Sequence, residues 1–117
     1  MTQEEIQRAE VEISLSIDQA KAFIERREML KRLEKNKDFK KLIMTGYLEE
    51  EAVRLVGLLM DGEMQEDQDQ EMIKRELYAI SSLRIFFNNV YAIAGQMEAK
   101  IERSEKVLDE VRTEMED

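Results

Sequence analysis

Residues 73–115 read IKRELYAISSLRIFFNNVYAIAGQMEAKIERSEKVLDEVRTEM, and every seventh position from the first is apolar: Ile73, Ile80, Phe87, Ala94, Ile101, Leu108 and Met115. A repeat of 3.5 residues held over this length predicts a long helix that needs partner helices. Three residues on from each, the companion positions are Glu76, Leu83, Val90, Met97, Ser104 and Val111, an apolar line with two flaws. The opposite side carries Lys74, Ser81, Asn88, Gly95, Glu102 and Asp109 beside Arg75, Ser82, Asn89, Gln96, Arg103 and Glu110, all polar or small. Ile80, Phe87, Val90, Ala94, Met97, Ile101, Leu108 and Val111 are therefore the residues expected to meet a partner helix.

The apolar surface of this segment is not uniform. Between Leu77 and Ile93 it widens to include Leu77, Tyr78, Ala79, Ile85, Phe86, Tyr91 and Ile93, and after Met97 only a narrow stripe is left. The broad part is expected to pack against several helices, with Phe86 to Tyr91 receiving the short ones, and the narrow tail against one helix or a second subunit. The helix is predicted over residues 68–116, roughly 70 Å at 1.5 Å per residue.

Working back toward the N-terminus, Thr2 and Glu5 form a capping box. Ile6, Ala9, Ile13, Ile17, Ala20, Ile24, Leu30 and Leu33 follow at mostly helical spacings, which predicts a helix over residues 3–35. Residues 11–17 alternate apolar and polar and admit a strand reading, but no turn signal flanks them and no partner strand is visible. As helix, Val11 and Leu15 form a second apolar stripe, so this helix is expected to be contacted on two sides.

Two short helices are predicted within residues 38–60, the first capped by Asp38 and ended by Gly46. Glu49, Glu50 and Glu51 favour the start of the second, where negative charge meets the positive end of the helix dipole. Its Leu48, Ala52, Val53, Leu55, Val56, Leu58, Leu59 and Met60 cover much of the circumference and predict extensive burial. Residues 61–70 then form an acidic linker. The expected fold is one all-α domain over residues 1–117, an elongated helical hairpin or coiled coil of two long helices with two short helices capping one end.

Composition narrows the chemistry. Of the 117 residues 38% are charged and 6% aromatic, with no proline and four glycines, which suits extended helices over a thick core. Cysteine and histidine are both absent, removing the thiolate nucleophile, the usual zinc ligands and the usual proton carrier near neutral pH. No P-loop, dinucleotide fingerprint, nucleophile elbow or kinase signature is present. No catalytic, cofactor-binding or metal-binding residue is assigned, and the chain is read as non-enzymatic.

Acid clusters do not change that reading. Asp61, Glu63, Gln65, Asp67 and Asp69 alternate oxygen-bearing side chains, but Glu66 and Met72 stand where a calcium loop needs glycine and a bidentate acid. Glu98, Glu102 and Glu105 lack the histidines of a two-metal bundle site. Glu28 with Arg32, Glu50 with Arg54, Glu71 with Arg75 and Glu102 with Lys106 are spaced for surface ion pairs instead.

The net charge of −9 opposes a general affinity for nucleic acid or anionic lipid. One zone runs against it: Arg26, Arg27, Lys31, Arg32, Lys35, Lys37, Lys40 and Lys41 outnumber Glu28, Glu34 and Asp38. With Phe39 as a stacking residue this zone suggests nucleic-acid contact. A single aromatic in an acidic chain favours the other reading, that it meets the acidic residues 61–71 within one molecule or between copies. The eight Met residues are dispersed and form no face. Glu4 and Glu5 stand where a signal peptide would carry Lys or Arg, which argues against one, and no uncharged stretch is long enough to span a bilayer.

Residues 36–55, NKDFKKLIMTGYLEEEAVRL, together with the Gln-rich acidic segment and Leu83-Arg84-Ile85-Phe86-Phe87, resemble small helical, largely uncharacterised proteins of tailed bacteriophages, some from virion structure and assembly gene neighbourhoods. The resemblance implies a minor virion component or a scaffold-like assembly factor, located in the virion or the host cytoplasm. Its implied partners are further copies of itself, as a dimer or higher oligomer, and phage capsid, portal or tail proteins. The other class open at this point is a cytosolic coiled-coil binding module, such as an inhibitor of a host protein or an adaptor.

Overall fold

The computed structural model describes residues 2–116, with the side chains of 115 and 116 left aside; the seam position Met115 lies outside the described side chains. All described elements are helical: α1 (Gln3–Lys35), α2 (Lys37–Phe39), a π-helical segment (Lys40–Glu50), α3 (Glu51–Leu59), a 3-10 turn (Gly62–Met64) and α4 (Asp67–Glu116). The all-α class is as expected, and both long helices fall within a residue or two of their predicted bounds. Residues 11–17 are helical. The chain divides into two compact units, the first of residues 1–28 with 90–117 and the second of residues 29–89. α1 and α4 each contribute a stretch to both.

In the first unit α1 packs on α4 of the same chain, and two ion pairs fix the direction. Arg27 binds Glu98, and Glu10 lies 3.7 Å from Arg112. Ascending α1 from Glu10 to Arg27 thus means descending α4 from Arg112 to Glu98, so the two run antiparallel. Ile6, Ile17 and Ala20 of α1 and Val90, Ala94, Leu108 and Val111 of α4 are buried. On the register set by the ion pairs Ala20 comes level with Ser104, so the polar flaw in the seam falls opposite a small side chain. The N-terminus of α1 is closed by the expected capping box: the Thr2 N–H donates to Glu5 Oε2 at 3.2 Å and the Glu5 N–H to Thr2 Oγ1 at 3.1 Å.

The second unit is organised by Leu48, Leu55, Ile73 and Ile80, with Met44, Tyr47, Ala52, Leu58, Leu59, Met64, Leu77, Leu83 and Phe87 packed around them. The shorter helices therefore lie along α4 from Ile73 to Phe87, a longer track than the predicted one between Phe86 and Tyr91. α1 stops because Asn36 is extended (φ −70°, ψ 127°). The Asn36 side chain, not that of Asp38, then caps the next helix, Oδ1 accepting the Asp38 and Phe39 N–H groups at 3.0 Å each.

Gly46 does not end this helix. No described glycine has positive φ, and the backbone continues helically from Lys37 to Leu59. What changes is the pairing: the Glu51 N–H reaches back five residues to the Gly46 carbonyl, the wider π-helical turn. A Cβ on Gly46 would lie 3.1 Å from the Lys41 carbonyl oxygen, five residues earlier, so a side chain there would press on the backbone of the wide turn. The two short helices of the sequence reading are one interrupted helix.

After α3 the chain turns by specific contacts. Asp61 Oδ1 accepts the Glu63 N–H at 2.9 Å. The Gln65 side-chain amide donates to the Leu59 and Asp61 carbonyls, and that of Gln70 to the Leu59 and Met64 carbonyls at 3.2 and 2.7 Å. The acidic linker is thus a tied turn, and Asp67 and Asp69 sit in the first turn of α4, where the helix dipole favours them.

Candidate protein interaction surface

The residues predicted to meet a partner helix are used within the chain. Ile80, Val90, Ala94, Leu108 and Val111 are buried, and Phe87, Met97 and Ile101 are half-buried. The twelve positions of the polar side, from Lys74 to Asp109 and from Arg75 to Glu110, are all exposed. Sequence period and burial therefore agree along α4, and the exposed apolar surfaces lie outside this seam.

Such surfaces are present on the faces turned away from the core. On α4 of the second unit, Met72, Ala79 and Phe86 recur every seven residues and are exposed, with Tyr78 and Ile85 beside them. Tyr78 is 72% exposed and Phe86 51%. The Phe86 ring stands 6.0 Å from that of Phe87 at 54°, which holds it on the surface in a defined position. On α3, Leu55 is 1% exposed while Val53 and Val56 face outward, as does Met60 at the C-terminal cap, at 82%. The extensive burial expected for this helix is met on one face only, because α3 is covered from one side. Val11 and Leu15 form an exposed stripe on α1 of the first unit, and Leu33 is exposed as well.

The charges are placed with equal definition. Arg26 lies over the Phe23 ring at 5.4 Å. Arg27, its side chain only 18% exposed, is bound by Glu98 and Glu28, and hydrogen bonding to Glu98 raises its already high pKa. Lys31, Arg32, Lys35, Lys37, Lys40 and Lys41 are exposed in the second unit. Phe39 packs edge-on against Phe87 at 6.1 Å, so its ring serves the fold.

Within the second unit the basic end and residues 61–71 are anchored at different levels of α4. Phe39 fixes the basic end level with Phe87, whereas Gln70 fixes the acidic turn at its own level on α4. The intervening rise is about 26 Å. Arg54 likewise pairs with Glu51 rather than Glu50, which lowers the Glu51 pKa. These two residues, with Tyr47, Glu76 and Ala79, line a shallow groove beside α4, so the seam flaw at Glu76 faces a cation. The Glu102–Lys106 pair forms as expected, at 3.8 Å.

Among the described residues no group of three or more acidic side chains is arranged to hold a metal ion, and no helix is long and apolar enough to cross a membrane. Comparison with protein-family models, with curated proteins and with solved structures returns no match to this chain. The fold and its surfaces define an all-α chain of paired helices with apolar outer faces, a class suited to helix-mediated contact with other proteins.

Proposed function

We propose that this chain is a non-enzymatic interaction protein that works through helix–helix contacts, in a minor structural or scaffold-like role in bacteriophage particle formation. The observation that carries the interaction reading is the outer face of α4, where Met72, Tyr78, Ile85 and Phe86 are left to solvent on a well-packed helix. Contiguous exposed apolar side chains rimmed by charge mark protein-binding surfaces. The virion and assembly role rests on the resemblance of residues 36–55 to small phage proteins. An acidic helical chain with separate basic and acidic ends suits ordered contact with other components, since rim charges orient partners more than they tighten them.

Mass spectrometry of purified mature particles and of empty precursors tests the role. Stoichiometric presence in mature particles identifies a virion component, and presence only in precursors identifies a scaffold. Absence from both contradicts the reading.

A further inference from the structure

Resting on the interaction reading, we infer that the outer face of α4 in the second unit pairs with a second copy of the same chain, antiparallel, about a two-fold axis at Ala79. Two independent features converge on that residue.

The first is the apolar pattern. Met72 and Phe86 stand seven residues to either side of Ala79, all three exposed. Antiparallel pairing centred there sets Ala79 against its own mate. Its small side chain forms the floor of the shallow groove flanked by Tyr47, Glu51 and Arg54, and the partner helix enters that groove. Met72 of each copy then meets Phe86 of the other, and thioether–aromatic contacts are favourable. The pattern is self-complementary, as an isologous interface requires.

The second is charge. The acidic turn is anchored at Gln70 and the basic end at Phe87, and the point midway between them is Tyr78 and Ala79. A two-fold axis at this point lays the acidic turn of each copy against Lys37, Lys40 and Lys41 of the other, twice over. Parallel pairing would set Asp61, Glu63, Glu66, Asp67, Asp69 and Glu71 against themselves. Charge therefore selects the direction that the apolar row permits, and the contact closes as a dimer.

Because the chain has no cysteine, single introduced thiols report the geometry. Met72→Cys and Phe86→Cys chains are oxidised separately and as a mixture, then resolved without reductant. Cross-linked dimer is expected from the mixture and from Ala79→Cys alone, but not from Met72→Cys or Phe86→Cys alone. Cross-linking of either of those two by itself as fully as the mixture overturns the antiparallel arrangement.

A second arm keeps the apolar row native. Lys37→Glu, Lys40→Glu and Lys41→Glu in one chain, and Glu63→Lys, Glu66→Lys and Glu71→Lys in another, are each expected to raise the dimer Kd about tenfold or more. Mixing the two chains restores the wild-type value; an unchanged Kd in both reversed chains overturns the proposal. Wild-type chain that sediments as a monomer up to about 100 µM yet is found in assembled particles overturns self-pairing alone and leaves the interaction reading standing.

Discussion

The Arg84 guanidinium, projecting from α4, donates a hydrogen bond to the backbone carbonyl of Leu48 in the last turn of the π-helical segment. A carbonyl oxygen has a second lone pair beyond the one used in the helix, and a guanidinium donor makes a charge-assisted bond to it. Arg84 thereby ties the interrupted helix to α4.

Arg84→Met is expected to cost about 1–3 kcal/mol by removing this charge-assisted bond between α4 and the Leu48 carbonyl. Urea unfolding gives the magnitude, and hydrogen exchange should show faster exchange concentrated over residues 40–55. Unchanged exchange there would mean that the π-helical segment does not depend on this bond.

The glycines separate two kinds of position. Gly95 is exposed in α4 with nothing within 4 Å of an added Cβ, so Gly95→Ala should stabilise by about 0.5–1 kcal/mol through helix propensity. Gly46→Ala gains the same propensity but sets a methyl against the Lys41 carbonyl, and no gain is expected. Thermal melts of the two variants, compared with wild type, decide the point.

Much of this was legible in the sequence because burial here follows one period. From Ile73 to Val111 the apolar positions of the 3.5-residue pattern are inside and the polar ones outside, and the flaws at Glu76 and Ser104 are absorbed by a groove and by a level Ala20. Gly46 and Asp38 misled for a common reason: local propensity does not see tertiary bonds. Gly46 would end an isolated helix, but Arg84 and the Leu48–Leu55 core carry the backbone through it. Asn36 lies two residues before Asp38, and only the extended backbone at Asn36 decides which side chain caps. The outer faces were hidden because apolar residues all round α3 read as burial, and sequence alone does not count how many sides are covered.

Leu55→Ala should cost about 2–5 kcal/mol, since its side chain lies in the centre of the second unit. Val53→Ala, two residues away on the uncovered face, should change stability by about 0.5 kcal/mol or less. Similar costs for both would mean that α3 is covered on both sides.

The Glu51–Arg54 pair gives a pH dependence of known sign. Hydrogen bonding to Arg54 lowers the Glu51 pKa below its ordinary 4.5, so the ionised carboxylate favours the folded state. That contribution is present above pH 4.5 and is lost as pH falls through the lowered folded value. Wild type should therefore be more stable than Glu51→Gln at neutral pH, with the difference shrinking in acid and in high salt, as for any exposed pair. A difference independent of pH from neutrality to about pH 3 would contradict the pairing.

The division of α4 into an inner seam and an outer face is tested most directly by two adjacent residues of one chemistry, through the thermal unfolding of Phe86→Asp and Phe87→Asp in dilute solution. Phe87→Asp should lose several kcal/mol, because a carboxylate replaces a ring packed against the Leu48–Ile80 core. Phe86→Asp should lose about 1 kcal/mol or less in the monomer, its ring being half open to solvent. Equal losses, or the larger loss at Phe86, would contradict the assignment of the two faces.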